Sequence, residues 1–170
     1  NITGNTITRD KVIRRELKVI EGGHYSGEAI RRSEQNLHRL GFFENVEVKT
    51  KKGADKDLMV LDIGVKERAT GSFSFGAGYS AVDSIIGTLQ VSQNNLFGRG
   101  QKLSASLRLG GRSNQFDISF TEPWLFDRPF SGDIRAYKWE REFDDYTNDA
   151  FGGMLSFGFH IYKIDEFTRG

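Results

Sequence analysis

Residues 71–79 run Gly71-Ser72-Phe73-Ser74-Phe75-Gly76-Ala77-Gly78-Tyr79. Successive side chains of a strand point to opposite faces, so Phe73, Phe75, Ala77 and Tyr79 share one face and Ser72, Ser74, Gly76 and Gly78 share the other. A soluble sandwich alternates too, but its outer face is solvated and rich in Lys and Glu. Here the polar face is small and neutral. That suits the interior of a barrel whose aromatic and aliphatic face meets lipid.

The same period of two continues toward the C-terminus. Ile85 to Gln93 sets Gly87, Leu89 and Val91 against Thr88, Gln90 and Ser92. Lys102 to Leu109 sets Leu103, Ala105, Leu107 and Leu109 against Lys102, Ser104, Ser106 and Arg108. A fourth strand opposes Phe116, Ile118 and Phe120 to Asp117, Ser119 and Thr121. In a fifth, Ser131 to Glu140, the register is ambiguous, because Ile134 and Ala136 favour one face and Tyr137 and Trp139 the other. The sixth, Phe151 to Tyr162, alternates Phe151, Leu155, Phe157, Phe159 and Ile161 with Gly152, Met154, Ser156, Gly158 and His160. Backbone groups left unpaired in hydrocarbon cost several kcal/mol each, so membrane strands close into a barrel or are shielded. Six strands fall short of the smallest membrane barrel, about eight strands, so the chain is expected to be a fragment.

Upstream the plan changes. Twelve of the 14 Phe, both Trp and thirteen of the 20 Gly follow Glu67. Before it, the period is helical. Thr8 is the expected N-cap of a helix from Arg9 to Lys18 that carries Val12, Ile13 and Leu17 on one face, with Gly22 and Gly23 ending it. Ser26 caps a longer helix with Ala29, Ile30, Ser33, Leu37 and Leu40 on one stripe and Arg31, Arg32, Glu34 and Arg39 facing away, and Gly41 stops it. Val46, Val48 and Thr50 alternate with Glu47 and Lys49, then comes a polar turn of residues 51–57 and the apolar run Leu58 to Val65. Asn1 and Ile2 fit the stub of a preceding strand. The expected organisation is an α+β domain (β-α-α-β-β) over residues 1–67, followed over residues 68–170 by about six strands of an antiparallel transmembrane β-barrel.

Composition removes several function classes. There is no Cys, so disulfide, CxxC redox and thiolate-metal chemistry are excluded. Lys plus Arg is 24 against 23 Asp plus Glu, which offers no field for nucleic acid. No apolar run reaches the roughly 18 residues of a spanning helix. His24, His38 and His160 lie in different elements, so neither a zinc helix nor a nucleophile triad is encoded, and no cofactor or metal is expected. Gly76-Ala77-Gly78-Tyr79-Ser80-Ala81 matches a dinucleotide fingerprint, but the fingerprint needs a helix to start there and a strand follows. The acidic stretch from Glu140 to Asp149 lacks the spacing and central Gly of a calcium loop and reads as the longest polar connection. If the first half is periplasmic, the first strand rises outward and that stretch falls outside. Phe97, Trp124, Leu125 and Phe126 then lie at the opposite interface, where aromatic girdles sit.

Several runs match a known family. Asn1-Ile2-Thr3-Gly4-Asn5, Thr8 to Leu17, and Ser33 to Leu40 closing in Gly41-Phe42-Phe43 closely resemble a POTRA domain, specifically the barrel-proximal POTRA domain of the BamA family. Val65-Lys66-Glu67, then Thr70 to Phe73 and Phe75 to Ser80, resemble the start of that family's barrel, and Phe120 to Leu125 its fourth strand and following turn. The resemblance implies a non-enzymatic protein of the bacterial outer membrane with its POTRA domain in the periplasm. Its barrel has about sixteen strands, and it folds and inserts unfolded outer-membrane proteins in company with accessory outer-membrane lipoproteins and the lipid bilayer. Two site expectations follow. Substrate strands pair with the first barrel strand, Gly71, Ser72, Phe73, Ser74, Phe75, Gly76, Ala77, Gly78 and Tyr79, and partners add to a POTRA edge at Val46, Glu47, Val48, Lys49 and Thr50. The competing readings are a polypeptide secretion pore of the same superfamily and, less compatible with a preceding POTRA segment, a barrel enzyme or passive porin.

Overall fold

The computed structural model describes residues 1–19, 22, 25–53 and 59–159. They form two compact units, residues 1–72 with 93–101, and residues 73–92 with those from 102 on.

The first unit contains β1 (Ile2–Thr3), α1 (Asp10–Arg14), α2 (Gly27–Leu40), β2 (Phe43–Lys52) and β3 (Met59–Glu67). Its sheet has the order β1-β3-β2, with β1 parallel and β2 antiparallel to β3, so β2 lies at an edge. Val12, Ile13, Leu37, Phe42, Phe43, Val46, Ile63 and Val65 form the core, with Leu17, Leu40 and Val48 packed against it. A bulge between Phe43 and Asn45 gives β2 an extra residue, and Phe43 and Val46 both reach the core.

Helix α2 follows the sequence expectation. Ser26 Oγ accepts from the Ala29 N–H at 3.2 Å, and Gly41 ends the helix in the left-handed region at φ 70°. Helix α1 is shorter than the expected Arg9–Lys18. After Arg14 the chain tightens into i→i−3 bonds, Glu16 N–H to Ile13 O and Leu17 N–H to Arg14 O, both 3.1 Å. Side chains of α2 then take over: Ser33 Oγ accepts from the Lys18 N–H at 2.8 Å, and Asn36 Nδ2 donates to Glu16 O at 3.0 Å. The expected stop at Gly22 and Gly23 is therefore eight residues late at Gly22, and Gly23 lies outside the described residues, as do His24, Leu58, His160, Ile161 and Tyr162.

Six strands follow: β4 (Gly71–Ser80), β5 (Ser84–Leu96), β6 (Gln101–Gly110), β7 (Ser113–Glu122), β8 (Phe130–Glu142) and β9 (Thr147–Phe159). They form a sheet in sequence order, with β4 at one edge. Pairing fixes the two faces. Leu107, Phe116, Lys138 and Phe151 form one cross-strand row, Ala105, Ile118, Ala136 and Gly153 the next, and Leu103, Phe120, Ile134 and Leu155 a third. This resolves the fifth strand: Ile134 and Ala136 lie on the apolar face, while Tyr137 and Trp139 lie on the polar one. Tyr137 stands directly opposite Gly152, where a Cβ would meet its ring at 2.6 Å, so the ring covers a glycine rather than facing outward. The polar face is tied by Ser104 to Ser119 (2.7 Å), Thr121 to Asp133 (2.6 Å) and a forked Arg135–Asp117 pair (2.6 and 2.8 Å).

The stretch Glu140–Asp149 is not a long loop. Strand β8 runs to Glu142 and β9 starts at Thr147, and the hairpin is closed by Phe143 N–H to Tyr146 O at 2.8 Å beneath stacked Phe143 and Tyr146 rings. Glu140, Glu142 and Asp149 belong to paired strands and only Asp144 and Asp145 to the turn, which is why a charge count misread the segment. Connections are residues 81–83, 111–112 and 143–146 at one end of the sheet and 97–100 and 123–129 at the other, so length alone does not distinguish the ends.

Candidate functional site

Two strand edges and one junction carry the residues of interest. At the β2 edge, Val46 is buried and Val48 half-buried against exposed Glu47 and Lys49, as the alternation predicts, whereas Thr50, expected on the inner face, is exposed near the strand's end. Glu47 and Lys49 pair at 2.8 Å on the exposed face. Two further pairs brace β2 against β3. Lys66 meets Glu44 at 2.8 Å and holds its carboxyl below the usual range, and Lys51 meets Asp62 at 2.6 Å, which lowers Asp62 and raises Lys51. Such exposed pairs contribute little stability, but they leave the edge polar in side chains and open in backbone.

Strand β4 is exposed almost throughout, with Phe75 at 81% and Tyr79 at 79%. Phe73 and Phe75 lie side by side, ring centroids 6.3 Å apart. Opposite them, Gly76 faces Thr88, whose Oγ1 would lie 2.8 Å from an added Cβ, whereas nothing lies within 4 Å at Gly78. The segment matching the dinucleotide fingerprint is this strand, and β5 begins at Ser84, so no helix N-terminus is there to hold a pyrophosphate.

The junction is built around Glu67, the last residue of β3. Its Oε2 accepts from Thr6 N–H (2.9 Å), Thr6 Oγ1 (2.7 Å) and Ile7 N–H (2.9 Å), and its Oε1 from Thr8 N–H at 2.6 Å. Burial pushes this carboxyl up, but the hydrogen bonds from Thr8, Thr6 and Ile7 outweigh it and hold the pKa at about 2. Thr8 is therefore no helix cap. The N-cap position is Arg9, without a side-chain cap, and Thr8 is buried, accepting from Asn95 Nδ2 at 2.8 Å.

Asn95 lies near the end of β5, in the segment 93–101 that is part of the first unit. Its Oδ1 accepts from Gly100 N–H at 2.8 Å, and Gly98 O accepts from Arg9 N–H at 2.9 Å. Gly98 has φ 69°, and a Cβ there would lie 1.8 Å from Ile7 O. Gly100 has φ 74°, and its Cβ would lie 2.4 Å from an Arg15 guanidinium nitrogen. The backbone clash leaves room only for glycine at position 98, and the left-handed φ favours glycine at position 100. Sequence reasoning missed Glu67, Asn95, Gly98 and Gly100 as a set. Among the described residues no group of three or more His, Asp or Glu converges as a metal site.

Comparison with known proteins decides the family. A POTRA model, described as a surface antigen variable number repeat, matches residues 1–68, and an Omp85 superfamily domain model matches residues 95–170. The outer membrane protein assembly factor BamA of Nitratidesulfovibrio vulgaris is 31% identical across 98% of this chain. The chain belongs to the BamA family. The BamA of Neisseria meningitidis serogroup B is 37% identical over 74% of the chain. The crystal structure of BamA from Haemophilus ducreyi lacking POTRA domains 1–3 superposes with a TM-score of 0.80 at 26% identity, over 92% of this chain and 31% of that one. The chain spans only 22% of the Nitratidesulfovibrio relative and 16% of the Neisseria one. The POTRA-type unit and the six-stranded sheet are thus one contiguous piece of a BamA architecture, and among the described residues the sheet is not closed.

Proposed function

We propose that this chain is the barrel-proximal POTRA domain, residues 1–67, and the opening strands, residues 68–170, of an outer-membrane barrel-protein assembly factor. It acts without enzymatic chemistry. Substrate strands are templated along Gly71 to Tyr79, and the POTRA unit stands on the periplasmic side. The observation that carries the reading is that β4, an edge strand rich in glycine, has an apolar exposed face in a sheet whose other face is small and polar.

In hydrocarbon, an edge of this kind recruits any strand able to satisfy its N–H and C=O groups. Recognition is by backbone, so it tolerates substrates of unrelated sequence. The β2 edge, Val46 to Thr50, offers the same main-chain mode in water and is the surface proposed to take a partner strand from an accessory lipoprotein or an unfolded substrate. The assembly role is supported by the BamA relatives, which are named as outer membrane protein assembly factors.

The test is site-specific cross-linking in the complete protein. Cysteines at Ser72 or Ser74, on the polar face of β4, are expected to capture the terminal strand of an arriving barrel protein during assembly. Capture confined to residues away from β4, with assembly proceeding, contradicts templating at this edge.

A further inference from the structure

The turn between β7 and β8 folds back onto the apolar face of the sheet. Leu125 lies over Gly132, its methyl carbons 3.5 and 3.8 Å from where a Cβ would stand, and Phe157 borders the same spot at 4.0 Å. Together with Phe126, Arg128, Phe130, Phe157 and Phe159, Leu125 lines a cleft of about 540 Å³. That volume lies in the range of small-molecule sites. The turn is strained: Phe126 and Asp127 both hold left-handed backbone, φ 54° and 60°, a conformation that costs non-glycine residues roughly 1–3 kcal/mol each. The strain presents Phe126 at 87% exposure. An aromatic ring held out in water at such a cost is rewarded only when it leaves water. Beside it, the Arg128 side chain makes no ion pair or hydrogen bond among the described residues.

We propose that this cleft binds one anionic phospholipid, with the phosphate on the Arg128 guanidinium and the first carbons of an acyl chain against Phe126, Phe130, Phe157 and Phe159. A planar fork of donors suits phosphate oxygens. The cleft lies at the ends of β8 and β9, where a spanning strand leaves hydrocarbon and meets headgroups, and where aromatic side chains sit with one edge apolar and one wet. The proposal rests on the reading of these strands as membrane-spanning, but not on strand templating. Neighbouring Asp127 is engaged in an interaction of its own.

The experiment uses the complete protein in nanodiscs of equal phosphatidylglycerol and phosphatidylcholine, with retained lipids counted by native mass spectrometry. Barrel folding is verified by heat-modifiable gel mobility, and assembly activity is measured in parallel. The unaltered protein is expected to retain one more phosphatidylglycerol than Arg128→Gln, whose occupancy falls about tenfold for loss of one charge-assisted contact. Arg128→Lys is expected to fall between them, and Phe126→Ser to lower retention with the charge intact. Equal retention by the unaltered and Arg128→Gln proteins, or no preference for phosphatidylglycerol over phosphatidylcholine, overturns the site. So does cross-linking of the cleft to substrate polypeptide in place of lipid. No assembly activity in the unaltered protein, with phosphatidylglycerol retained, sinks the assembly reading and leaves the lipid site standing.

Discussion

Glu67 accepts four hydrogen bonds from three consecutive residues, so one carboxylate shapes the whole Thr6–Thr8 segment. Its folded pKa of about 2 lies below its ordinary 4.5, so its contribution to stability is fully present above pH 4.5 and is lost as pH falls toward 2. Glu67→Gln is expected to destabilise the first unit by about 1–3 kcal/mol at neutral pH. In denaturation curves the gap to the unaltered protein should narrow between pH 4.5 and 2, and a gap independent of pH there contradicts the assignment. Gly98 gives a second expectation. Gly98→Ala forces a Cβ to 1.8 Å from Ile7 O at positive φ, for an expected cost of about 2–4 kcal/mol. Gly22→Ala, at φ 77° with nothing within 4 Å, should cost only about 1 kcal/mol for its backbone. Amide exchange at Arg9, which donates to Gly98 O, should accelerate in the first variant and not in the second. None of this was legible in the sequence. Glu67 closes the end of an alternating strand, and its partners lie about sixty positions away, beyond the reach of any periodicity. Thr8 resembles a helix cap because it precedes a helical pattern, and only the fold shows that it is a buried acceptor.

Among the elements, β4 combines an apolar face with weak packing on the other side. Gly78 has open space around it and ordinary strand backbone, so Gly78→Ala should stabilise the strand by about 0.5–1 kcal/mol. If opening of this edge limits assembly, the variant should assemble substrates about two- to fivefold more slowly, while amide exchange in β4 slows. Faster assembly contradicts a role for weak pairing. The strands themselves were plain in the sequence, since alternation survives wherever one face is apolar and the other small. It failed in two places for physical reasons. In β8, Tyr137 and Trp139 occupy the polar face, Tyr137 covering Gly152, and the two hydrophobic signals cancel. Between Glu140 and Asp149, Glu140, Glu142 and Asp149 sit in paired strands while the turn's Asp144 meets Arg112 of the adjacent turn at 2.9 Å, and composition alone suggests a loop.

For the molecule as a whole, the two halves follow different plans, and the change at Glu67 was visible as a change of period and of Phe and Gly content. Among the described residues the first unit buries an ordinary core of eight apolar side chains. The second leaves Phe73, Phe75, Phe151, Leu155 and Phe157 uncovered on one face, which in water would be an aggregation surface and in a bilayer is the contact with lipid. What joins this architecture to an assembly role is the claim that β4 opens and pairs with incoming strands. A disulfide joining Ser72 or Ser74 of β4, each replaced by Cys, to the strand that closes the complete barrel tests it most directly. With the lock verified on gels, substrate assembly is predicted to slow and to recover on reduction. Assembly at the normal rate by the locked protein would contradict templating at β4.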